Sequence, residues 1–111
     1  MKKTISNLIE KTIVTLSEQG HLPTIGKVEV IVEFTRDKRH GDLATNIALT
    51  LSKTCGMKPK DLASLILQNI PSTSILDRCE VAGAGFINFF LSQDALSKIL
   101  FEIIAAKEKF G

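Results

Sequence analysis

Phe86, Asn88 and Phe90 stand two residues apart, directly after Gly83-Ala84-Gly85, in a chain with six Phe and neither Trp nor Tyr. On a strand the three share one face, because successive side chains alternate across it. Two rings flanking an amide suit one kind of chemistry: a ring stacks on a nucleobase, and the amide reads the edge of that base. The same residues also suit plain packing, with Phe86 and Phe90 in a core and Asn88 bonded to a backbone group. Gly83-Ala84-Gly85 superficially matches the start of a dinucleotide-binding loop. The sixth position of that loop is Asn88, however, and strand formers follow where a helix N-terminus is needed to hold phosphate. The glycines read instead as a hairpin turn with positive φ.

A second cluster is cationic. Arg36-Asp37-Lys38-Arg39-His40 places three basic residues in four positions. Exposed cations there suit phosphate contact, which needs no base recognition. The same run is equally an ordinary solvated loop. His21 and His40 are far apart in sequence and suggest no third ligand, so no metal site is expected. No paired carboxylates, no Ser–His or Cys–His signature and no Walker-type loop is present, and the residues point to a binder rather than a catalyst.

The totals bound what these clusters can be. A length of 111 residues suits one domain, taken as 1–111, and 44% hydrophobic residues suit a globular core. The net charge of +2 is too small for a general polyanion binder, so any nucleic-acid contact must come from a local patch. Cys55 and Cys79 lack metal-ligand spacing and sit among apolar residues, which predicts packed, reduced thiols. The basic start Met1-Lys2-Lys3 leads into periodic residues rather than the apolar core of a signal peptide. No apolar run reaches membrane-spanning length. These features predict a cytoplasmic protein with no membrane partner.

Four helices and three strands must position the clusters. Ile5, Leu8, Ile9, Thr12, Ile13 and Leu16 repeat at helical spacing up to Gly20. Val28, Val30, Val32 and Phe34 alternate, predicting a strand over 28–34. After the 35–42 loop, Asp42 is expected to N-cap a helix with Leu43, Ile47, Ala48 and Leu51 as its buried stripe, ending at Gly56. Pro59 opens a third helix carrying Leu62, Ala63, Ile66, Leu67 and Ile70, stopped by Pro71. Ile75–Ala82 and Phe86–Leu91 form a hairpin, with Ile87, Phe89 and Leu91 facing the core. Ser92 caps a last helix with Leu96, Ile99, Leu100, Ile103 and Ile104. This order predicts an α+β fold, a two-layer sandwich whose small antiparallel sheet is covered on one face by about four helices.

Two stretches in this order, "HGDLATNIALTLSK" (His40–Lys53) and "EVAGAGFINFFLS" (Glu80–Ser92), resemble the N-terminal additional domain of arginyl-tRNA synthetases. The likeness rests on Gly41-Asp42-Leu43 with Asn46, then a helix such as "KPKDLASLILQNI", then a Gly-x-Gly-Phe-Ile-Asn hairpin, and it spans essentially the whole chain. It implies a module that leans on the outer corner of tRNA(Arg) and contacts the D-loop. By resemblance, Phe86 packs on a D-loop base, Asn88 hydrogen-bonds it, and the turn at Gly83 lies against it. Gly41, Asp42, Asn46 and Gly85 carry over as turn and cap residues, with Asn46 tying the loop to the sheet. The resemblance further implies a monomeric class I arginine–tRNA ligase that uses ATP with magnesium. These residues are expected to be its tRNA-corner fragment: His-x-Gly-His and Lys-Met-Ser-Lys-Ser runs are absent, so the fragment itself has no catalytic residue and no cofactor. Lys109-Phe110-Gly111 is expected to lead into the catalytic domain. The rival expectation is a protein-docking or dimerisation surface built on Phe86 and Phe90.

Overall fold

The computed structural model describes residues 2–26, 28–98 and 100–101, with Lys38 described by its backbone alone. Helix α1 (Lys2–Glu18) buries Ile5, Ile9, Thr12, Ile13 and Leu16 along one stripe. The buried Thr12 hydroxyl donates to the Leu8 carbonyl at 2.8 Å, so the stripe holds no unsatisfied polar atom there. The helix closes where Gly20 N–H donates to Ser17 C=O and His21 N–H to Leu16 C=O, the paired bonds of a Schellman motif.

Strand β1 is only Val32–Phe34, not the whole of 28–34. Its partner β2 (Leu43–Thr45) is three residues long, so the ladder can be no longer. The backbone just before β1 bonds elsewhere: Val30 N–H donates to the Glu10 carboxylate at 3.2 Å, and Ile31 C=O accepts from the Thr45 hydroxyl at 2.8 Å. Val30 and Val32 are buried as the alternation predicts, but Phe34 is 52% exposed, with Lys2 Nζ 4.8 Å from its ring centroid.

Strand β2 corrects a second expectation. Leu43 belongs to this strand and not to the helix after it. A run of four residues fits period 2 and period 3.6 about equally, and pairing with β1 on one side and β4 (Phe86–Leu91) on the other decides it. Helix α2 (Ile47–Cys55) therefore starts later and buries Ile47, Ala48 and Leu51. Helix α3 (Pro59–Asn69) has its Pro in the first turn and buries Leu62, Ala63 and Ile66. Strand β3 (Leu76–Ala82) pairs with β4, giving an antiparallel sheet in the order β1-β2-β4-β3.

Val32, Leu43, Thr45, Ile87, Phe89 and Leu91 line the sheet's inner face, and α1, α2 and α3 pack with it into one core. This is the expected two-layer α+β arrangement. Residues 93–98 are helical, capped by Ser92, whose hydroxyl accepts from Ala95 N–H at 3.2 Å. Leu96 and Leu100 are exposed, and the expected stripe residues Ile99, Ile103 and Ile104 lie outside the described residues.

Candidate nucleic-acid interface

Strand β4 is central, so its two faces decide what the sheet presents. Ile87 and Phe89 are fully buried on the helix side, while Phe86, at the start of the strand, is 44% exposed on the other. The turn before it has Gly83 at φ +55° and Gly85 at φ +144°, with Gly85 N–H donating to Ala82 C=O at 3.3 Å. Gly85 has a second reason to be glycine. A Cβ there would lie 2.7 Å from Pro59 Cβ, so the hairpin rests directly on the first turn of α3 and Phe86 is aimed by a rigid support.

Asn88 departs from the open amide expected beside that ring, since only 5% of the residue is accessible. Its side chain is short, it stands between Phe86 and Phe90 on the same face, and it is paired with Ala44 of β2 and Glu80 of β3 on either side. Phe90 is half-buried, and its shield is a residue the sequence reading missed. Arg78, paired with Phe90 across the hairpin, lays its guanidinium 3.9 Å from the ring centroid. Arg78 Nε also lies 3.4 Å from Glu80 Oε1. Register arithmetic carries the signal: a three-residue turn that pairs Ala82 with Phe86 sets Arg78 opposite Phe90.

The cationic loop is not beside Phe86. It joins β1 to β2 at the Leu91 end of β4, whereas the glycine turn lies at the Phe86 end, about 17 Å away along the strand at ~3.4 Å per residue. Arg36 is exposed. Arg39 is exposed too, but its guanidinium grips Asp37 through Nε at 3.2 and 3.1 Å and Nη2 at 2.8 Å. That side-chain pairing first, and the Arg39 N–H second, hold the Asp37 carboxyl below the usual carboxylate range. His40 Nε2 lies 4.0 Å from the same carboxylate. The Lys38 side chain lies outside what is described.

Gly41 and Asp42 do different work from the expected helix cap. Asp42 caps no helix: the N-cap position of α2 is Asn46, which makes no side-chain cap bond. The hydroxyl that serves the start of α2 is that of Thr45, which accepts from Ile47 N–H at 3.3 Å. Asp42 instead continues the sheet. Its N–H donates to Phe89 C=O at 2.9 Å, and its carboxylate Oδ2 accepts from Leu91 N–H at 2.9 Å. Asp42, not the exposed Asn46, ties the loop to the sheet, because β2 ends before Leu91 and leaves that N–H in need of an acceptor. Gly41 makes the approach possible, with φ +86° and a hypothetical Cβ only 2.7 Å from Phe89 O. The Thr35 hydroxyl closes the loop by donating to Gly41 C=O.

Burial pushes both thiols up, Cys79 to about 11, which keeps them protonated near neutrality. Among the described residues no group of three His, Cys, Asp or Glu could hold a metal ion, and no helix is long and apolar enough to cross a membrane.

Comparison with known proteins places this geometry. Residues 1–91 match the family described as arginyl tRNA synthetase N terminal domain. The arginine–tRNA ligase of Shewanella oneidensis is 45% identical over 100 residues, covering 90% of this chain and 17% of the relative. Among solved structures, the arginyl-tRNA synthetases of Thermus thermophilus and Plasmodium falciparum each superpose with a TM-score of 0.67. Their identities are 21% and 24%, over 86% and 84% of this chain and 15% and 16% of theirs, and they carry the fold alone. The chain spans about a sixth of the length of the curated relatives it matches.

Proposed function

The chain belongs to the arginyl-tRNA synthetase N-terminal domain family, and on that premise we propose that it is the tRNA-binding module of an arginine–tRNA ligase. In this reading it contacts the D-loop and outer corner of tRNA(Arg), while the rest of a monomeric cytoplasmic ligase joins arginine to the tRNA at the expense of ATP. One observation carries it: Phe86 stands exposed on the face opposite the helices, on a strand whose alternate residues are fully buried. A ring that served only packing would gain from burial, and this one stays 44% exposed beside a turn packed closely on Pro59 of α3.

In the proposed complex a D-loop base stacks on Phe86 and lies against the backbone at Gly83, where little besides the Phe86 ring is near. Asn88, deeper between the rings, reads only a base edge that comes down to it. In this reading ATP and magnesium serve the parent ligase outside these residues. The Gly83–Gly85 turn runs into a strand rather than a helix N-terminus, and arginine activation falls to the remainder of the ligase.

The test is Phe86→Ala in the full-length protein. Stacking is worth ~1–3 kcal/mol per base, so tRNA(Arg) affinity falls about five- to 150-fold with little change in melting temperature. Phe89→Ala, on the buried face, gives the reverse: a loss of ~3–5 kcal/mol of stability and no selective loss of binding. Wild-type tRNA affinity in Phe86→Ala would sink the proposal, and protein docking would then account for the exposed ring.

A further inference from the structure

We propose that Arg78 is a phosphate-contact residue of this same face, held on Phe90 so that its guanidinium fork meets an RNA phosphodiester. The inference rests on the RNA reading of the sheet. Its own observations are independent of Phe86. The guanidinium lies 3.9 Å from the Phe90 centroid, and Arg78 shares the sheet face that carries Phe86. Glu80 comes nearest through Nε, at 3.4 Å, and among the described residues no hydrogen bond engages either terminal nitrogen. Those two N–H groups match the paired oxygens of a phosphate, which an ammonium cannot do.

The Phe90 ring supplies the order. A free Arg side chain must give up its rotamer freedom to make a bidentate contact, whereas one already flat on a ring has given up part of it. The Glu80 pairing is exposed on both sides, so it is weak enough to yield to phosphate. Phe86 and Phe90 are four residues apart on β4, about 13 Å at ~3.3 Å per residue. The phosphate taken by Arg78 therefore belongs to a different nucleotide from the base on Phe86, and the two contacts fix the direction in which the RNA strand crosses the sheet.

The experiment is a salt titration of tRNA(Arg) binding by the full-length protein, with Arg78→Ala, Arg78→Lys and Phe90→Leu beside Phe86→Ala. One lost phosphate contact lowers the slope of log affinity against log salt by about 0.7–0.9, which at about 0.1 M salt is a five- to eightfold loss of affinity. Arg78→Ala is expected to show both. Arg78→Lys keeps the slope but not the full affinity, and so does Phe90→Leu, which leaves the cation without its platform. A wild-type slope in Arg78→Ala, with binding weakened by Phe86→Ala, overturns the role of Arg78 and leaves the RNA face standing. Wild-type binding in both Arg78→Ala and Phe86→Ala removes the RNA reading and this inference together. Full affinity in Phe90→Leu overturns the claim that the ring orders the guanidinium.

Discussion

Replacing Asp42 by Ala takes the acceptor from the Leu91 N–H, which has no other among the described residues. Leu91 is 5% exposed, its N–H lies 2.9 Å from Asp42 Oδ2, and the β2–β4 ladder stops short of it. A hydrogen bond to a charged group contributes a net ~1.5–3 kcal/mol, and a buried donor left unpaired costs a similar amount. We expect about 2 kcal/mol, out of a total stability of ~5–15 kcal/mol for such a domain. At ~4–8 °C per kcal/mol, the melting temperature falls by roughly 8–16 °C. Asp42→Asn keeps an amide oxygen in the same place and should recover most of the loss. Melting alone does not separate this role from a helix cap, whose loss costs ~0.5–2 kcal/mol. Amide hydrogen exchange does. Loss of the latch speeds exchange at Leu91, whereas loss of a cap would speed it at Ala48 and Leu49 in the first turn of α2. Unchanged exchange at Leu91 in Asp42→Ala, or a melting temperature equal to wild type, refutes the reasoning.

Gly41→Ala should be among the most damaging single-methyl additions. It combines the left-handed penalty of ~1–2 kcal/mol with a Cβ 2.7 Å from Phe89 O, while Gly26→Ala, which meets nothing within 4 Å, stays near wild type in denaturant melts. Cys79 makes the domain less stable in alkali. Its thiol titrates at about 11 when folded against 9.0 unfolded, so the unfolded chain releases its proton first and stability falls as pH rises across that window. Melting against pH in Cys79→Val should lack the decline. In the cationic loop, Arg36→Ala should lower the salt slope of tRNA binding by roughly one and Arg39→Ala by less, because Asp37 already neutralises Arg39; a wild-type slope in both variants would place the loop outside the interface.

Much that depended on residues near one another in sequence was legible there, though the cap at the start of α2 was not, since Thr45 and not Asp42 serves it. The stripes of α1 and α3, the stops at Gly20 and Gly56, the Ser92 cap and the hairpin with Phe89 inward all follow from periodicity and turn chemistry. So does the split of β4 into a core side and a Phe86 side. The motifs around Gly41-Asp42 and Gly85-Phe86 were also enough to suggest the family. Tertiary structure decided the rest. Asp42 and Leu91 are 49 positions apart, and only the order β1-β2-β4-β3 brings the carboxylate to the stranded N–H. Leu43–Thr45 is a strand because two neighbours pair with it, not because of its own preferences. Asn88 is buried by residues two away on its strand and by neighbours from two other strands. Arg78 reaches Phe90 through hairpin register. Local sequence sets which way a side chain alternates, whereas its exposure and its bonding partner depend on which strands stand beside it, and that is a property of the assembled sheet.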